Sequence, residues 1–407
     1  MNQTHRIKPA CLALIILIVM GLIYAWSVIS VPIEAEFPEW SKSEISLTFT
    51  LLMVFFCIGQ LVCGYIVDSI RPKYAIITGA CLILLGFYIS SKADTLVDLY
   101  FGFGFLCGFG AGIAYNSVMS TMLKWYWDRP GYISGILLMG FGIGGFLIGK
   151  LYQLWTPTEV GGWRISFVVM GISIFIVLIL AALKFEKPYE ELSLNSKCEN
   201  NTIDYKPEDT IKSPVFWLYY LWAIVCNAAG LSIISQGTGI VIEVVKEIDA
   251  ASIATLVGII SIFNALGRVA FGTIYDKCGR SISMQLVGSM FIATAIILFV
   301  AFKTHSLVLL IITFVLCGLS YSGIPPTNSA FSREYFGAKH YGVNFSLVNS
   351  NMIIASFGSV LAGAVFDYTG SYNSIVLLII VFAVIGMLCS MGISHLESNE
   401  KYFKKIK

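Results

Sequence analysis

The sequence predicts an all-α membrane protein that crosses the bilayer twelve times. Of its 407 residues, 57% are hydrophobic and 12% are charged, whereas a soluble domain carries about 25% charged residues. So much apolar surface cannot be hidden in a soluble core, and lipid must solvate most of it. A helix needs about 20 apolar residues to cross a bilayer, and the charge-poor runs of this chain have about that length. Runs this long exclude a β-barrel, whose strands are shorter and alternate in polarity.

The predicted spans follow one another with short polar interruptions. We number them spans 1 to 12, and they cover residues 9–33, 45–67, 74–91, 99–123, 132–149, 165–183, 215–240, 251–275, 281–302, 306–332, 341–366 and 372–394. The longest interruption is rich in Lys, Glu, Asn and Pro and has no apolar core, which predicts a solvated linker. We therefore expect an N-terminal six-helix bundle (1–184), a cytoplasmic linker (185–214) and a C-terminal six-helix bundle (215–407).

The distribution of basic residues predicts the orientation. Arg6 and Lys8 precede an apolar run that is too long for a signal peptide and lacks a cleavage site, so we interpret it as a retained first span. With the N-terminus inside, the inner segments hold nineteen Lys and Arg residues and the outer segments hold six. By the positive-inside rule both termini are cytoplasmic. We expect a bacterial plasma (inner) membrane protein.

The two halves of the chain repeat one another. Gly64 lies near the end of span 2 and Asp68 follows that span, and Gly272 and Asp276 stand in the same places at span 8, at an offset of 208 residues. This spacing predicts two six-helix repeats in parallel, related by an axis along the membrane normal.

Arg268 is the single charged residue within the twelve runs. It lies seven residues before the predicted end of span 8, roughly 10 Å deep at the rise of an α-helix. Arginine cannot escape the cost of burial by losing its proton, and no Asp or Glu lies in a span interior. A mobile anion is the best compensating charge, and the guanidinium group fits a carboxylate in bidentate fashion. Two alternatives are an arginine extended to the inner surface and one bonded to the carbonyls of a broken helix.

The loops after spans 2 and 8 resemble the signature loop of the major facilitator superfamily. The second copy, with Gly279 and Arg280, is the closer match, because Ile70 stands where the first copy should have glycine. The resemblance implies that superfamily's fold and a cytoplasmic latch between its halves. We assign Asp68, Arg71, Asp276 and Arg280 to this gating latch. The alternative is that these are ordinary loop charges.

Spans 1, 4, 7 and 10 line the cavity in such an architecture. A tyrosine hydroxyl buried in lipid is costly unless it is bonded, so we expect Tyr24, Tyr115 and Tyr321 to face the cavity and the substrate. The alternative for each is an interfacial belt or helix packing. Asn116 and Gln236 are weaker candidates. Two adjacent prolines, Pro325 and Pro326, must distort span 10 because two amide donors are missing.

The chain further resembles the oxalate/formate antiporter family within that superfamily and is monocarboxylate-transporter-like. The resemblance lies in residues 21–28, 112–116 with 124–126, 131–142 and 264–268. It implies anion exchange, with Arg268 on the carboxylate.

Two departures from the family pattern bear on the substrate. Dicarboxylate members carry a lysine early in span 11, where Val348 stands here. With one fixed cation, the site suits a monocarboxylate such as formate, acetate, lactate or pyruvate over oxalate. Asn351, with two other asparagines of span 11, could offer neutral donors. Related symporters have an aspartate four residues before the arginine, where Asn264 cannot titrate. This favours exchange over proton symport, and Asn264 can still orient Arg268.

Other function classes fit the sequence less well. There is no CxxC pair and no cluster of basic residues with interleaved aromatics, so we expect no metal, no cofactor and no nucleic-acid partner. The four histidines are scattered, which argues against an enzyme. A proton-coupled monocarboxylate symporter is the main alternative, and a non-transporting nutrient sensor is a minor one. We expect a monomer whose partners are the small carboxylate and membrane lipid.

Overall fold

A computed structural model describes residues 4–40, 42–66, 70–157, 159, 161–187, 204–245 and 250–406. Eleven helical stretches within these residues are long and apolar enough to cross a membrane. One of them, Thr255–Thr304, has 50 residues, about 75 Å of helix and more than twice the thickness of a bilayer core. Its backbone breaks at Gly279, where φ is 79° and ψ is 178°. This stretch therefore supplies spans 8 and 9, and the prediction of a twelve-helix fold is confirmed.

Several spans of the first half are assembled from more than one helical piece. Span 1 comprises Thr4–Met20, a 3-10 turn at Gly21–Ala25, Trp26–Ile29 and Val31–Glu36. Spans 2 and 3 are Lys42–Ile66 and Pro72–Ser91. Span 4 comprises Leu96–Leu99, a π-helical stretch at Tyr100–Cys107 and Gly108–Trp125, and spans 5 and 6 are Pro130–Trp155 and Gly162–Lys184.

The second half begins after a short helix at Pro207–Lys212. Span 7 is Pro214–Val244, and spans 8 and 9 lie in Ala250–Thr304. Span 10 comprises Leu307–Ser322 and Ile324–Phe336, and span 11 comprises Tyr341–Asn349, Asn351–Ala355 and Phe357–Thr369. Span 12 is a 3-10 turn at Tyr372–Ser374 followed by Ile375–Ile406. Span 10 divides at Gly323, just before the proline pair that predicts its distortion.

The chain forms two compact units whose membership does not follow the linear sequence. The first contains Met1–Asp128, Ile136–Asp204 and Arg333–Leu347, and the second contains Arg129–Gly135, Tyr205–Ser332 and Val348–Lys407. The first unit thus includes the start of span 11, and the second includes the start of span 5. The proposed division at linker 185–214 stays a prediction, and residues 188–203 lie outside the described residues.

Small residues let the helices of each unit touch backbone to backbone. In the first unit, a Cβ atom at Gly112 of span 4 would lie 2.1 Å from the carbonyl oxygen of Phe56 of span 2. In the second unit, a Cβ atom at Gly318 of span 10 would lie 2.5 Å from the carbonyl oxygen of Ile260 of span 8. The contact in the second unit joins the helices that carry Arg268 and Tyr321, and the contact in the first unit fixes span 4, which carries Tyr115 and Asn116, on span 2.

Candidate functional site

Arg268 lies inside the second unit, with 4% of its surface exposed. It stands eleven residues before the break at Gly279, about 16 Å along the helix. Span 8 continues beyond its predicted end at residue 275, so Arg268 is farther from the helix end than the sequence predicts. So low an exposure indicates that the Arg268 side chain is packed among helices. It argues against a side chain that extends into the lipid headgroups.

The backbone that carries Arg268 is in close contact with two other helices. A Cβ atom at Gly135, in the first turns of span 5, would lie 2.4 Å from the carbonyl oxygen of Arg268. A Cβ atom at Gly267 would lie 2.1 Å from Oγ of Ser322 on span 10. Span 8 is therefore closely packed against spans 5 and 10 beside Arg268.

Asn264 and Tyr321 lie on the same two packed helices. Asn264 is one helical turn before Arg268 and shares its face of span 8. Its side-chain oxygen Oδ1 is buried and has no hydrogen-bond partner among the described residues. Gly318 of span 10 meets the backbone of span 8 at Asn264, and Tyr321, three residues later, shares the face of Gly318. Tyr321 is 7% exposed, and its ring packs on span 7, because a Cβ atom at Gly230 would lie 2.4 Å from Cδ2 of Tyr321. Its role as a substrate ligand, like those of Arg268 and Asn264, stays a prediction.

Gln236 and Asn351 lie at the packing of span 7 against span 11. The Asn351 side chain is fully buried, accepts a hydrogen bond from Nδ2 of Asn227 (2.9 Å) and donates one to the carbonyl oxygen of Val348 (2.5 Å). Gln236 is half-buried, and its Nε2 lies 3.7 Å from the position of a Cβ atom at Gly363. Their role as substrate ligands stays a prediction.

In the first unit, Asn116 joins three helices. Its Nδ2 donates to the carbonyl oxygen of Gln60 on span 2 (2.6 Å), and its second hydrogen faces the carbonyl oxygen of Gly342 (3.0 Å) and Oγ of Ser346 (2.9 Å) on span 11. Its Oδ1 accepts a hydrogen bond from Ser120. These protein contacts occupy both ends of the amide, so Asn116 holds the start of span 11 on spans 2 and 4.

The other two predicted residues of this unit are aromatic. Tyr115 is 3% exposed, and its ring lies 5.2 Å from those of Phe56 and Phe141 and 6.2 Å from that of Phe345. The side chain of Tyr24 lies outside the described residues, although its backbone belongs to the 3-10 turn of span 1. Substrate contacts by Tyr24, Tyr115 and Asn116 stay predictions.

Asp276 binds the start of span 5. Its Oδ1 and Oδ2 accept hydrogen bonds from the backbone amides of Gly131 and Tyr132, each at 2.7 Å. A carboxylate at a helix N-terminus satisfies orphan amides and meets the positive end of the helix dipole. The Gly131 and Gly272 backbones also touch, since a Cβ atom at Gly272 would lie 2.1 Å from the Gly131 carbonyl oxygen.

The other predicted latch residues are placed separately. Arg280 is 5% exposed and forms an ion pair with Glu397 of span 12 (2.7 Å) and a hydrogen bond with Oγ of Ser394 (3.3 Å). Arg71 is exposed at the start of span 3 and lines a cavity of about 240 Å³ with Lys73 and neighbouring residues. Asp68 lies outside the described residues. The latch as a whole stays a prediction.

The model of the Major Facilitator Superfamily matches residues 11–352 of this chain. The chain belongs to the Major Facilitator Superfamily. It is a multi-pass membrane transporter of this superfamily.

Several known proteins are similar to this chain along most of its length, at sequence identities of 22–26%. An uncharacterized MFS-type transporter, YhjX, of Escherichia coli (strain K12) is 25% identical over 80% of each chain. The oxalate:formate antiporter of Oxalobacter formigenes is 26% identical over 81% of this chain and 78% of its own. Monocarboxylate transporter 13 of Rattus norvegicus is 22% identical over 88% of this chain and 81% of its own.

Two solved structures share the fold of this superfamily member. The proton:xylose symporter XylE covers 96% of this chain and 95% of its own, with a TM-score of 0.69 and 16% identity. The transporter FucP, in the outward conformation, covers 95% of this chain and 99% of its own, with a TM-score of 0.67 and 13% identity. At these identities the likeness shows the fold alone.

One buried arginine of this transporter that the sequence did not predict is Arg333. It directly follows the charge-poor run of span 10, on the side predicted to be cytoplasmic, yet it is 5% exposed, as Arg280 is. Asp204 and Tyr341 interact with it electrostatically. Oδ1 of Asp204 also accepts hydrogen bonds from the amides of Ala338 and Lys339, so the end of the linker is bound to the loop between spans 10 and 11. The signal available in the sequence was the position of Arg333 immediately beside an apolar run.

Proposed function

We propose that this transporter exchanges small monocarboxylate anions, such as formate, acetate, lactate or pyruvate, by alternating access. Arg268 binds the carboxylate. The observation that carries the proposal is a permanently charged guanidinium group, 4% exposed, about 16 Å from the end of span 8.

The electrostatics of span 8 support an anionic substrate. An arginine near the middle of a membrane helix costs about 2.5–3.5 kcal/mol on insertion scales, and this charge cannot be removed by deprotonation. A carboxylate that binds the guanidinium fork in bidentate fashion offsets that cost. Two relatives whose names include a carboxylate substrate, the oxalate:formate antiporter and monocarboxylate transporter 13, support the same class.

Two further residues of the second unit favour a monoanion and exchange. Val348, fully buried in the second unit, stands where dicarboxylate members of the resembling family have a lysine, so a dianion would bring a second charge with no lysine to meet it. Asn264 does not titrate, which favours exchange over proton symport. The symporter alternative predicts that a pH gradient alone drives uphill uptake without an anion on the opposite side.

Reconstitution tests the proposal. Purified protein in liposomes preloaded with formate, acetate, lactate, pyruvate or oxalate is given each anion with a ¹⁴C label outside. We expect exchange of at least one monocarboxylate at a higher rate than oxalate. Flux of none of the five anions would contradict the carboxylate substrate.

Variants of Arg268 test its role. R268A should lower exchange at least about thirtyfold, because removing one partner of a buried charge pair costs about 2–5 kcal/mol. R268K should also impair exchange, because a point charge lacks the bidentate geometry. The matched control is R129A, which removes an exposed arginine outside the site and should leave exchange unchanged. Full activity of R268A would refute the proposed role.

A further inference from the structure

Two glutamates occupy corresponding places in the two halves of the chain. Glu36 ends the last helical piece of span 1, and Glu243 lies one residue before the end of span 7. They are 207 residues apart, within one residue of the repeat offset. Both lie at the ends of their spans that the sequence predicts to be outer.

Glu36 holds the end of span 1 against the start of span 6. Its Oε2 accepts a hydrogen bond from Nε1 of Trp163 (2.5 Å), and its Oε1 forms an ion pair with Nη2 of Arg164 (3.0 Å). Arg164 also donates to the carbonyl oxygen of Ala93, after span 3, at 2.8 Å. The side chains of Glu36 and Arg164 are 17% and 26% exposed, so solvent screens this pair less than a surface ion pair.

Glu243 makes the corresponding connection in the second unit with different chemistry. Its Oε1 accepts a hydrogen bond from Oγ of Ser371 (2.5 Å), and its Oε2 accepts one from the backbone amide of Tyr372 (2.7 Å). These residues begin span 12. Nδ1 of His305, after span 9, lies 3.2 Å from the carbonyl oxygen of Val244. In each unit, therefore, the end of the first span contacts the start of the last span, and the loop after the third span joins the same contact.

The partners of the two glutamates also repeat. Trp163 and Ser371 are 208 residues apart, as are Arg164 and Tyr372. A glycine in the left-handed region precedes each pair, at Gly161 (φ 80°) and Gly370 (φ 71°). An indole and a guanidinium in one half correspond to a hydroxyl and a backbone amide in the other. The repeated feature is thus a glutamate carboxylate that joins the two spans, and the hydrogen-bond donors differ between the two halves.

The segments that these carboxylates hold are weakly supported by their own helices. Val31–Glu36 is a separate helix of six residues, with Pro32 inside it, and a helix that short is not stable alone. In span 7, Gly237 and Gly239 lie within two turns of Glu243, and glycine lowers helix stability. Each carboxylate therefore adds a polar contact at an outer end, beside the apolar packing of the fully buried Ile33 and Val244.

We propose that Glu36 and Glu243 are paired positioning residues of the transport cycle. Each holds the outer end of the first span of its half on the last span of that half, and release of either contact lets that outer end move. The inference rests on the transport function of the superfamily and not on the choice of a carboxylate substrate.

Hydrogen exchange measured by mass spectrometry on the full chain in lipid nanodiscs tests the contacts directly. In E36Q, the glutamine amide would face a donor, and the amides of 31–37 should exchange about tenfold faster, the usual scale for losing a charge-assisted contact. The amides of 239–245, at the corresponding end of span 7, should stay unchanged. E243Q should give the reciprocal pattern. The matched controls are E39Q and D367N, exposed acids near the two sites, which should change neither segment.

A second pair of variants distinguishes the loss of the contact from misfolding caused by changing the glutamate. W163F and S371A each remove a single donor side chain and leave the glutamates in place, and each should accelerate only its own segment. If all four variants leave both segments unchanged, or accelerate exchange throughout the unit, the proposal is overturned.

Formate exchange in proteoliposomes separates positioning from general stability. The variants should change the maximal rate about threefold or more while the half-saturating concentration stays within about twofold, because the binding site at Arg268 is untouched. An altered half-saturating concentration at an unchanged maximal rate would contradict a positioning role. If the wild type moves none of the five anions, the carboxylate proposal fails, and the hydrogen-exchange result alone decides this inference.

Discussion

Asn264 and Arg268 are one helical turn apart on span 8, and only the arginine is charged. An acid at position 264 would place a titratable carboxylate within reach of the guanidinium group. In N264D we expect that carboxylate, when ionised, to compete with the substrate for Arg268. Exchange should therefore be low at neutral pH and rise as the pH falls and the aspartate is protonated. Flux measured against pH checks this, with N264A as the control that lacks a titratable group. A pH profile of N264D identical to that of N264A would contradict the expectation.

Val348 is a second position where one residue is expected to decide charge selectivity. V348K would add a cation to the second unit that already contains Arg268, and two fixed cations suit a dianion better than one. We expect the ratio of oxalate to formate exchange to rise about tenfold or more, the scale of one additional charge-assisted contact. V348M, of similar length and uncharged, should leave the ratio unchanged. An equal ratio in the two variants would show that this position does not contribute to selectivity.

Single residues show what a sequence can and cannot reveal about a site. The burial of Arg268 could be predicted because a lone charge in an apolar run is visible without coordinates. The contacts of Asn116 could not, because its partners lie 56 and 226 residues away along the chain. The same holds for Asn351 and Asn227, 124 residues apart. Residue type alone does not say whether an amide faces a substrate or another helix.

At the scale of elements, glycine contacts decide where helices approach. Gly272 of span 8 touches Gly131 of span 5 in the second unit. A Cβ atom in G272A would force these backbones apart, and we expect faster hydrogen exchange in the amides of 130–136 and a lower maximal transport rate. G258A is the matched control on the same helix, because a Cβ atom there meets nothing within 4 Å. Equal exchange in the two variants would mean that the Gly131 contact does not hold the start of span 5.

Hydropathy predicted where the helices lie but not how their backbones run. It separated spans 8 and 9, although their helical stretches meet at Gly279. It could not show that span 1 is built from four pieces or that span 4 contains a π-helical stretch. Those features depend on backbone hydrogen bonds and on neighbouring helices, and an apolar run looks the same whether its helix is continuous or interrupted.

At the scale of the whole molecule, the inner segments carry three times as many basic residues as the outer ones, and we propose that both termini and the linker face the cytoplasm. Trypsin should cleave the linker, at Lys187, Lys197 or Lys206, in inverted vesicles and not in intact spheroplasts. Immunodetection of a C-terminal tag reports the cleavage. The outer loops with Lys92 and Lys303 serve as internal controls for sidedness. Cleavage of the linker in intact spheroplasts would reverse the proposed orientation.

The overall architecture was predictable because the number of apolar runs and the 208-residue repeat can both be read from the sequence. The membership of the two compact units was not. The start of span 5 belongs to the unit that contains most of the C-terminal half, and the start of span 11 belongs to the unit that contains most of the N-terminal half. The contacts of Asp276 with Gly131 and of Asn116 with Gly342 explain this membership. Each contact joins residues more than 140 positions apart.

The π-helical stretch of span 4 makes the later part of that span sensitive to chain length. Each residue of an α-helix turns the chain by about 100°, so deleting one residue from Tyr100–Cys107 would rotate the register of Gly108–Trp125 by about that angle. Gly112 would turn away from Phe56, and Asn116 would turn away from Gln60. The eight residues of this stretch thus set the direction of side chains about one to three turns beyond Cys107. A change in the length of the stretch would disturb contacts made by residues outside it.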